Sequence, residues 1–375
     1  MALAENQKPR VLVLFGGESG EHGISCATAA AVVEAINPER YEVVTVGITA
    51  QGQWVPLDFS SEQFQIREGK VASVPPAKRQ LFLAPGTGKA ISLPTQLGSE
   101  FSLGDLGTFD VVFPLLHGPF GEDGTVQGLL EMMHLPYVGC GVLASAAAMD
   151  KPTTKVLLHQ AGLPAGKWET VNAAQWQQDR FSVLKRLAPL GMPVFVKPAR
   201  AGSSLGISKV NSADALEEAI ERAQQIDPKV IVEAELTGLE IECAVLQGRD
   251  GRARTSEPGR IAMRSDVDFY DYQTKYFAED AVALEIPAQI PAHLASQVRD
   301  FAGKAFEALG CEGLARVDFF VDTAKDQVVI NEVNTMPGFT PFSMYPKLWE
   351  YMGVDYPQLM EELISLALTR PVGLR

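Results

Sequence analysis

The chain has 375 residues, 46% hydrophobic and 21% charged. That is an ordinary globular composition, with length enough for two or three domains or lobes around one cleft. Its net charge, 32 minus 46 or -14, argues against non-specific binding to nucleic acid or to anionic membranes, while leaving room for a local basic pocket.

The N-terminal residues MALAENQKPR form no apolar signal core, and no apolar run approaches the length of a spanning helix. Residues 11–15 (VLVLF) read as a buried strand, GGESGEHG as a glycine-rich turn, 24–37 as a helix and 41–49 as a strand. This order predicts an open parallel α/β sheet, whose ligands bind beyond the carboxyl ends of its strands. A further buried strand at 110–116 ends at His117-Gly118, and a helix follows at 122–134. Residues 50–105 carry a weaker pattern and read as an elaboration of this domain, with extra short strands and no chemistry. From 141 the character shifts. Helices at 143–161 lead to strands at 193–198, 206–210 and 229–236 and a helix at 212–226, a small α+β module. Beyond 238 come strands, an irregular loop at 258–280, a long helix at 291–309, a polar hairpin and a last helix at 356–369. The expected boundaries are 1–140, 141–237 and 238–375. Cys26, Cys140, Cys243 and Cys311 lie far apart with no C-x-x-C, and the five histidines form no close pair. The reading is therefore free thiols in a reducing, cytoplasmic compartment, without structural zinc or a disulfide framework.

The hairpin, GLARVDFFVDTAKDQVVINEVNTMPG from Gly313 to Gly338, is the most informative stretch. Side chains alternate faces along a strand, so Arg316, Asp318 and Phe320 share a face of the first strand, and Glu332 and Asn334 share a face of the second. A turn near Lys325 sets Asp318 opposite Glu332 and Arg316 opposite Asn334. Two carboxylates, an amide oxygen and a guanidinium then share one side, a set suited to a hard divalent cation. A merely solvated polar face would give the same pattern, and a one-residue slip would break it.

Other segments carry comparable signals. KPARAGSSLG, from Lys197 to Gly206, reads as a hairpin loop whose free N–H groups can wrap phosphate oxygens, with Lys197 adding charge, although it is not a Walker loop. VEAELTGLEIECA ends one strand at Glu233 and Ala234 and starts another at Glu240, a place for an adenine edge and ribose hydroxyls or for solvated acids. GGESGEHGIS lacks the dinucleotide fingerprint and puts Glu21 at a helix start, as a cap or as a carboxylate for a substrate ammonium. HGPFGEDGTVQG is a strand-to-helix turn open to close backbone approach or to capping. FYDYQTKY reads as a lid or as a loop resting on the body.

Taken together and in order, HGPFGEDGTVQG, KPARAGSSLG, FYDYQTKY, LARVDFF and INEVNTMPGFTPFSMYP resemble D-alanine–D-alanine ligases of the ATP-grasp superfamily across nearly the whole chain. The resemblance implies an N-terminal open parallel α/β domain, a small central α+β domain and a C-terminal domain with a mainly antiparallel sheet. It implies ATP, two Mg²⁺ ions (or Mn²⁺), two molecules of D-alanine, a D-alanyl phosphate intermediate and a homodimer. By position, Asp318, Glu332 and Asn334 match the metal ligands, and Lys151 and Lys197 the phosphate lysines. Ser203 and Ser204 match the phosphate loop, and Glu233, Ala234, Leu236 and Glu240 the adenosine contacts. Phe320 is placed to pack on adenine. Glu21, with His117 nearby, matches the first D-alanine site, and Glu21, Ser203 and Tyr276 a hydrogen-bonded trio. Arg316 and the Gly338 N–H match the oxyanion site, and Lys275, Ser343 and Met344 the second D-alanine. Gly23 and Ala234 depart from common family patterns without removing a chemical residue. The dipeptide-type lid favours D-alanine over D-lactate or D-serine as second substrate. A regulator that binds nucleotide without turnover is the alternative of another class.

Overall fold

The computed structural model describes residues 8–66, 70–76, 79–94, 104–202, 205–263, 282–340 and 343–373. Ser203, Ser204 and the FYDYQTKY segment with Lys275 and Tyr276 lie outside the described residues.

The first sheet runs in the order Trp54–Pro56, Glu42–Ile48, Arg10–Gly16, Val111–Leu115. Arg10–Gly16 pairs in parallel with both neighbours, and only the Trp54–Pro56 edge is antiparallel. The VLVLF run is apolar throughout because both of its faces are covered. Val11, Val13 and Phe15 face a core shared with helices His22–Ala35 and Tyr356–Thr369, while Leu12 and Leu14 face Val46, Leu130 and Tyr137. Within the weakly patterned 50–105 region, Arg79–Ala84 and Lys89–Pro94 join Gly104–Thr108 in a three-stranded antiparallel sheet.

The central module is a four-stranded antiparallel sheet ordered Ser208–Val210, Val194–Pro198, Lys229–Ala234, Trp168–Asn172. Helix Leu216–Gln224 presses Leu216, Ala219, Ile220 and Ala223 onto Val194, Val196, Val230 and Val232. The sequence reading left out strand Trp168–Asn172 and the helices Ala173–Gln178 and Arg180–Leu187. The second helix starts where the Asp179 carboxylate accepts the Ser182 N–H at 3.0 Å.

The C-terminal sheet is antiparallel, ordered Val282–Glu285, Gly259–Met263, Leu239–Gln247, Leu314–Asp322, Gln327–Asn334, with Ala253–Thr255 beside Leu239–Gln247. Helix Ala292–Ala308 covers one face with Leu294, Val298, Ala302, Ala305 and Phe306. Ala244, Leu246 and Leu314 turn the other way, into the core shared with the first sheet. That shared core holds the N-terminal turns and the polar hairpin around one cleft. No described helix is long and apolar enough to cross a membrane, and all four cysteines are buried and free.

Candidate active site

The hairpin takes the register expected of it: Arg316 faces Asn334 and Asp318 faces Glu332. Between Asp318 and Phe319 the partner drops from Glu332 to Ile330, so Asn331 is an inserted residue. Arg316, Asp318, Phe320, Asn331, Glu332 and Asn334 all line a cleft of about 380 Å³. Arg316 holds both oxygens of Asp318, Nε to Oδ1 and Nη2 to Oδ2, each at 2.7 Å. Its Nε also lies 3.0 Å from Glu242 Oε2. Asn334 Nδ2 donates to Asp318 Oδ2 at 2.9 Å. The Arg316 side chain is only 7% exposed; burial opposes its charge, but Asp318 and Glu242 hold the guanidinium well above the ordinary arginine range.

Asp318, Glu332 and Asn334 thus offer hard oxygen donors on one wall, with a cation already seated on Asp318. Among the described residues no cluster of three His, Cys, Asp or Glu could hold a metal alone. A set of two carboxylates and an amide fits Mg²⁺, which takes few protein ligands and completes its shell with phosphates and water.

The opposite wall is basic. Lys151 opens helix Lys151–Gln160, fixed there by Asp150, whose carboxylate accepts the Thr153 N–H at 3.0 Å and receives Lys229 Nζ at 2.7 Å. Lys151 Nζ donates to the Ala201 carbonyl at 2.7 Å, next to the glycine loop. Burial lowers its pKa. Lys197, on strand Val194–Pro198, binds Glu233 Oε2 at 2.7 Å, while Lys155 binds Oε1 at 2.7 Å. Burial alone would raise the Glu233 carboxyl, but the two lysines hold it at about 2. Lys197 in turn, despite burial, stays above the ordinary lysine range through Glu233. The Glu233 carboxylate thus carries two lysines, and Glu233 itself lines the cleft. Ala234, Leu236 and Glu240 line the cleft beside it.

The third wall comes from the N-terminal turns. Glu21 occupies the N-cap position of helix His22–Ala35, without a side-chain capping hydrogen bond. It is buried, with its Oε2 against Gly118 and Gly202; a Cβ at either glycine would come within 2.7 Å of it. Glycine at both positions is what lets the N-terminal turns and the glycine loop after Lys197 close on one carboxylate. His117 Nδ1 donates to the Met336 carbonyl at 3.1 Å, and the Thr28 hydroxyl meets its Nε2 at 3.3 Å. Glu122 accepts the Gly118 N–H at 2.8 Å and the Met336 N–H at 3.3 Å. Burial, with Glu21 nearby, pushes the Glu122 carboxyl up to about 8. These bonds fix the 335–338 turn that carries Gly338 into the cleft. Ser343 and Met344 begin helix Met344–Tyr351 just beyond it; Ser343 Oγ accepts the Thr340 N–H at 3.0 Å. Neither is among the described lining residues.

One cleft thus collects Glu21, His117, Lys151, Lys197, Glu233, Ala234, Leu236, Glu240, Arg316, Asp318, Phe320, Glu332, Asn334 and Gly338. Sequence reasoning missed Glu122, Lys155, Glu242 and Asn331. Two of these had a signal: Lys155 stands four residues from Lys151 on one helix face, and Glu242 alternates with Glu240 on one strand face.

Family models for the D-ala D-ala ligase N-terminus and C-terminus match residues 10–140 and 157–365. The D-alanine–D-alanine ligase of Kineococcus radiotolerans is 49% identical over 100% of this chain and 100% of its own. That of Pseudarthrobacter chlorophenolicus is 50% identical over 99% and 97%. Among solved structures, the VanG D-Ala:D-Ser ligase from Enterococcus faecalis superposes with a TM-score of 0.80 at 32% identity, covering 96% of this chain and 100% of its own. The D-alanine-D-alanine ligase from Coxiella burnetii gives 0.78 at 34%, covering 97% and 94%.

Proposed function

The chain belongs to the D-alanine–D-alanine ligase family, and we propose that it joins two D-alanine molecules into D-alanyl-D-alanine with ATP, for peptidoglycan precursor synthesis. The observation that carries this is the convergence, in one cleft, of an acidic hairpin wall, two lysines and the Glu21 carboxylate.

In this reading the Glu21 carboxylate grips the first D-alanine's ammonium. That substrate's carboxylate takes the γ-phosphoryl group, forming a D-alanyl phosphate and ADP. Lys151 and Lys197 hold the phosphates, as phosphoryl transfer needs mainly positioning and charge neutralisation. Asp318, Glu332 and Asn334 would hold Mg²⁺, which when bound supplies neutralising charge to the triphosphate. The second D-alanine, its carboxylate held by Ser343, Met344 N–H and Lys275, attacks the acyl carbon with its amine, and phosphate departs. Arg316 and the Gly338 N–H donate to the oxyanion that develops. Phe320, Ala234, Leu236 and Glu240 enclose the adenosine. Ser203, Ser204 and Tyr276 close the site with Glu21 and keep water from the acyl phosphate.

The units 1–140, 141–237 and 238–375 are the N-terminal, central and C-terminal domains, a division supported by the sheets, none of which crosses either boundary. Cytoplasmic residence and a homodimeric state follow from the same family reading. D-Alanine is the second substrate, supported by the full-length relatives near 50% identity against 32% for the D-Ser neighbour. Competition among D-alanine, D-lactate and D-serine at neutral pH tests this: D-alanine should be incorporated in excess, and preferential capture of D-lactate or D-serine would overturn the assignment.

A further inference from the structure

Lys155 lies outside the lining of the cleft, and its side chain is 2% exposed, against 9% for Glu233 and 15% for Lys197. The three form a line from interior to cleft, with one lysine on each oxygen of a single carboxylate, both at 2.7 Å. The Lys155 ammonium is also 6.0 Å from the Trp168 ring centroid. Glu332 and Glu240 are the other charges bearing on Lys197, and Glu332, Lys197, Glu233 and Asp150 those bearing on Lys151. The mechanism gives Lys155 no task, and burying an extra ammonium is unfavourable unless something requires it.

We propose that Lys155 is a positioning residue for nucleotide binding: it is the standing counter-ion of Glu233, which leaves Lys197 free to be shared with an incoming phosphate. The inference rests on the reading of Lys197 as a phosphate lysine. If Glu233 had Lys197 alone, moving that lysine toward a triphosphate would strand a buried carboxylate, and the loss would be charged against ATP affinity. With Lys155 fixed behind it, Glu233 keeps one full ion pair throughout. The trio also carries one net positive charge, where a lone Lys197–Glu233 pair would carry none.

The test is binding of ATP and of adenosine, measured by calorimetry, to the unaltered protein, K155M, K155M/E233Q and K197M. K155M should weaken ATP roughly tenfold or more while leaving adenosine within about threefold, because only the phosphates draw on Lys197. Adding E233Q removes the charge that needs a partner, so the double variant should regain most of the lost preference for ATP over adenosine, whatever E233Q does to the adenosine end that both ligands share. Equal losses of ATP and adenosine in K155M, or a double variant whose preference for ATP is no better than that of K155M, would overturn the proposal. If K155M does not fold, the double variant decides: a preference for ATP over adenosine retained within a few-fold supports the inference, and its collapse overturns it. K197M separates the two readings. Should it bind ATP normally while K155M does not, the phosphate assignment of Lys197 fails and the inference fails with it. A weakened K197M beside an unaffected K155M sinks the inference alone.

Discussion

Replacing Arg316 with methionine leaves the buried Glu242 and the partly buried Asp318 without their shared cation. Asp318 loses two 2.7 Å bonds and Glu242 its 3.0 Å ion pair, all in surroundings where Arg316 is 7% exposed. Removing one partner of a buried pair typically costs about 3–5 kcal/mol. Denaturant unfolding of the ligand-free R316M protein should show a loss in that range. Mg²⁺ with a non-hydrolysable ATP analogue should narrow the deficit, because a cation then takes Asp318. Turnover should stay low even when saturated, since a donor to the developing oxyanion is gone; such a loss is about 3–4 kcal/mol, or roughly 10²–10³ in kcat. The ATP Kd should move far less. Unchanged ligand-free stability, or an ATP affinity that falls as much as kcat does, would refute the reasoning and leave Arg316 without its oxyanion role.

Two further outcomes follow from other walls of the cleft. E332Q removes a charge from the proposed metal set, so kcat should fall by at least about tenfold and the Mg²⁺ concentration for half-maximal rate should rise; a normal metal titration would contradict the ligand assignment. Glu122 has a folded pKa near 8 against an ordinary 4.5, so between these values the folded protein keeps a proton that the unfolded chain releases, and stability falls as pH rises through that window. Denaturation midpoints measured across the window should lose this part of their slope in E122Q, and an identical slope in both proteins would show that Glu122 does not titrate there.

The hairpin register was legible because alternation and a polar turn fix a strand pair together. The inserted Asn331 was not, since a bulge leaves no mark on period-two patterning. The parallel sheet was legible from VLVLF, whose two buried faces leave no polar alternation. Helix Met344–Tyr351 was hidden by Pro346, which sits in its first turn where proline is tolerated. Strand Trp168–Asn172 and the two helices after it are short, and neighbours rather than local propensity hold them. The spacing of Lys155 and Glu242 puts them beside site residues but leaves their burial illegible, because burial of a lysine or glutamate is decided by a partner far along the chain: Glu233 for the one, Arg316 for the other. A helix cap and a substrate carboxylate look alike in the sequence around Glu21; that carboxylate stands at the helix start without a capping hydrogen bond, on the lining of the cleft.

The central claim is that the acidic hairpin, Arg316 and the two lysines together run an ATP-driven condensation of D-alanine. It is tested most directly by following phosphate release and dipeptide formation together, with ATP, Mg²⁺ and a panel of D- and L-amino acids. The account predicts one phosphate per D-alanyl-D-alanine formed, with D-alanine and not its L-enantiomer. No phosphate release with any of them would contradict it and point to a protein that binds nucleotide without turnover.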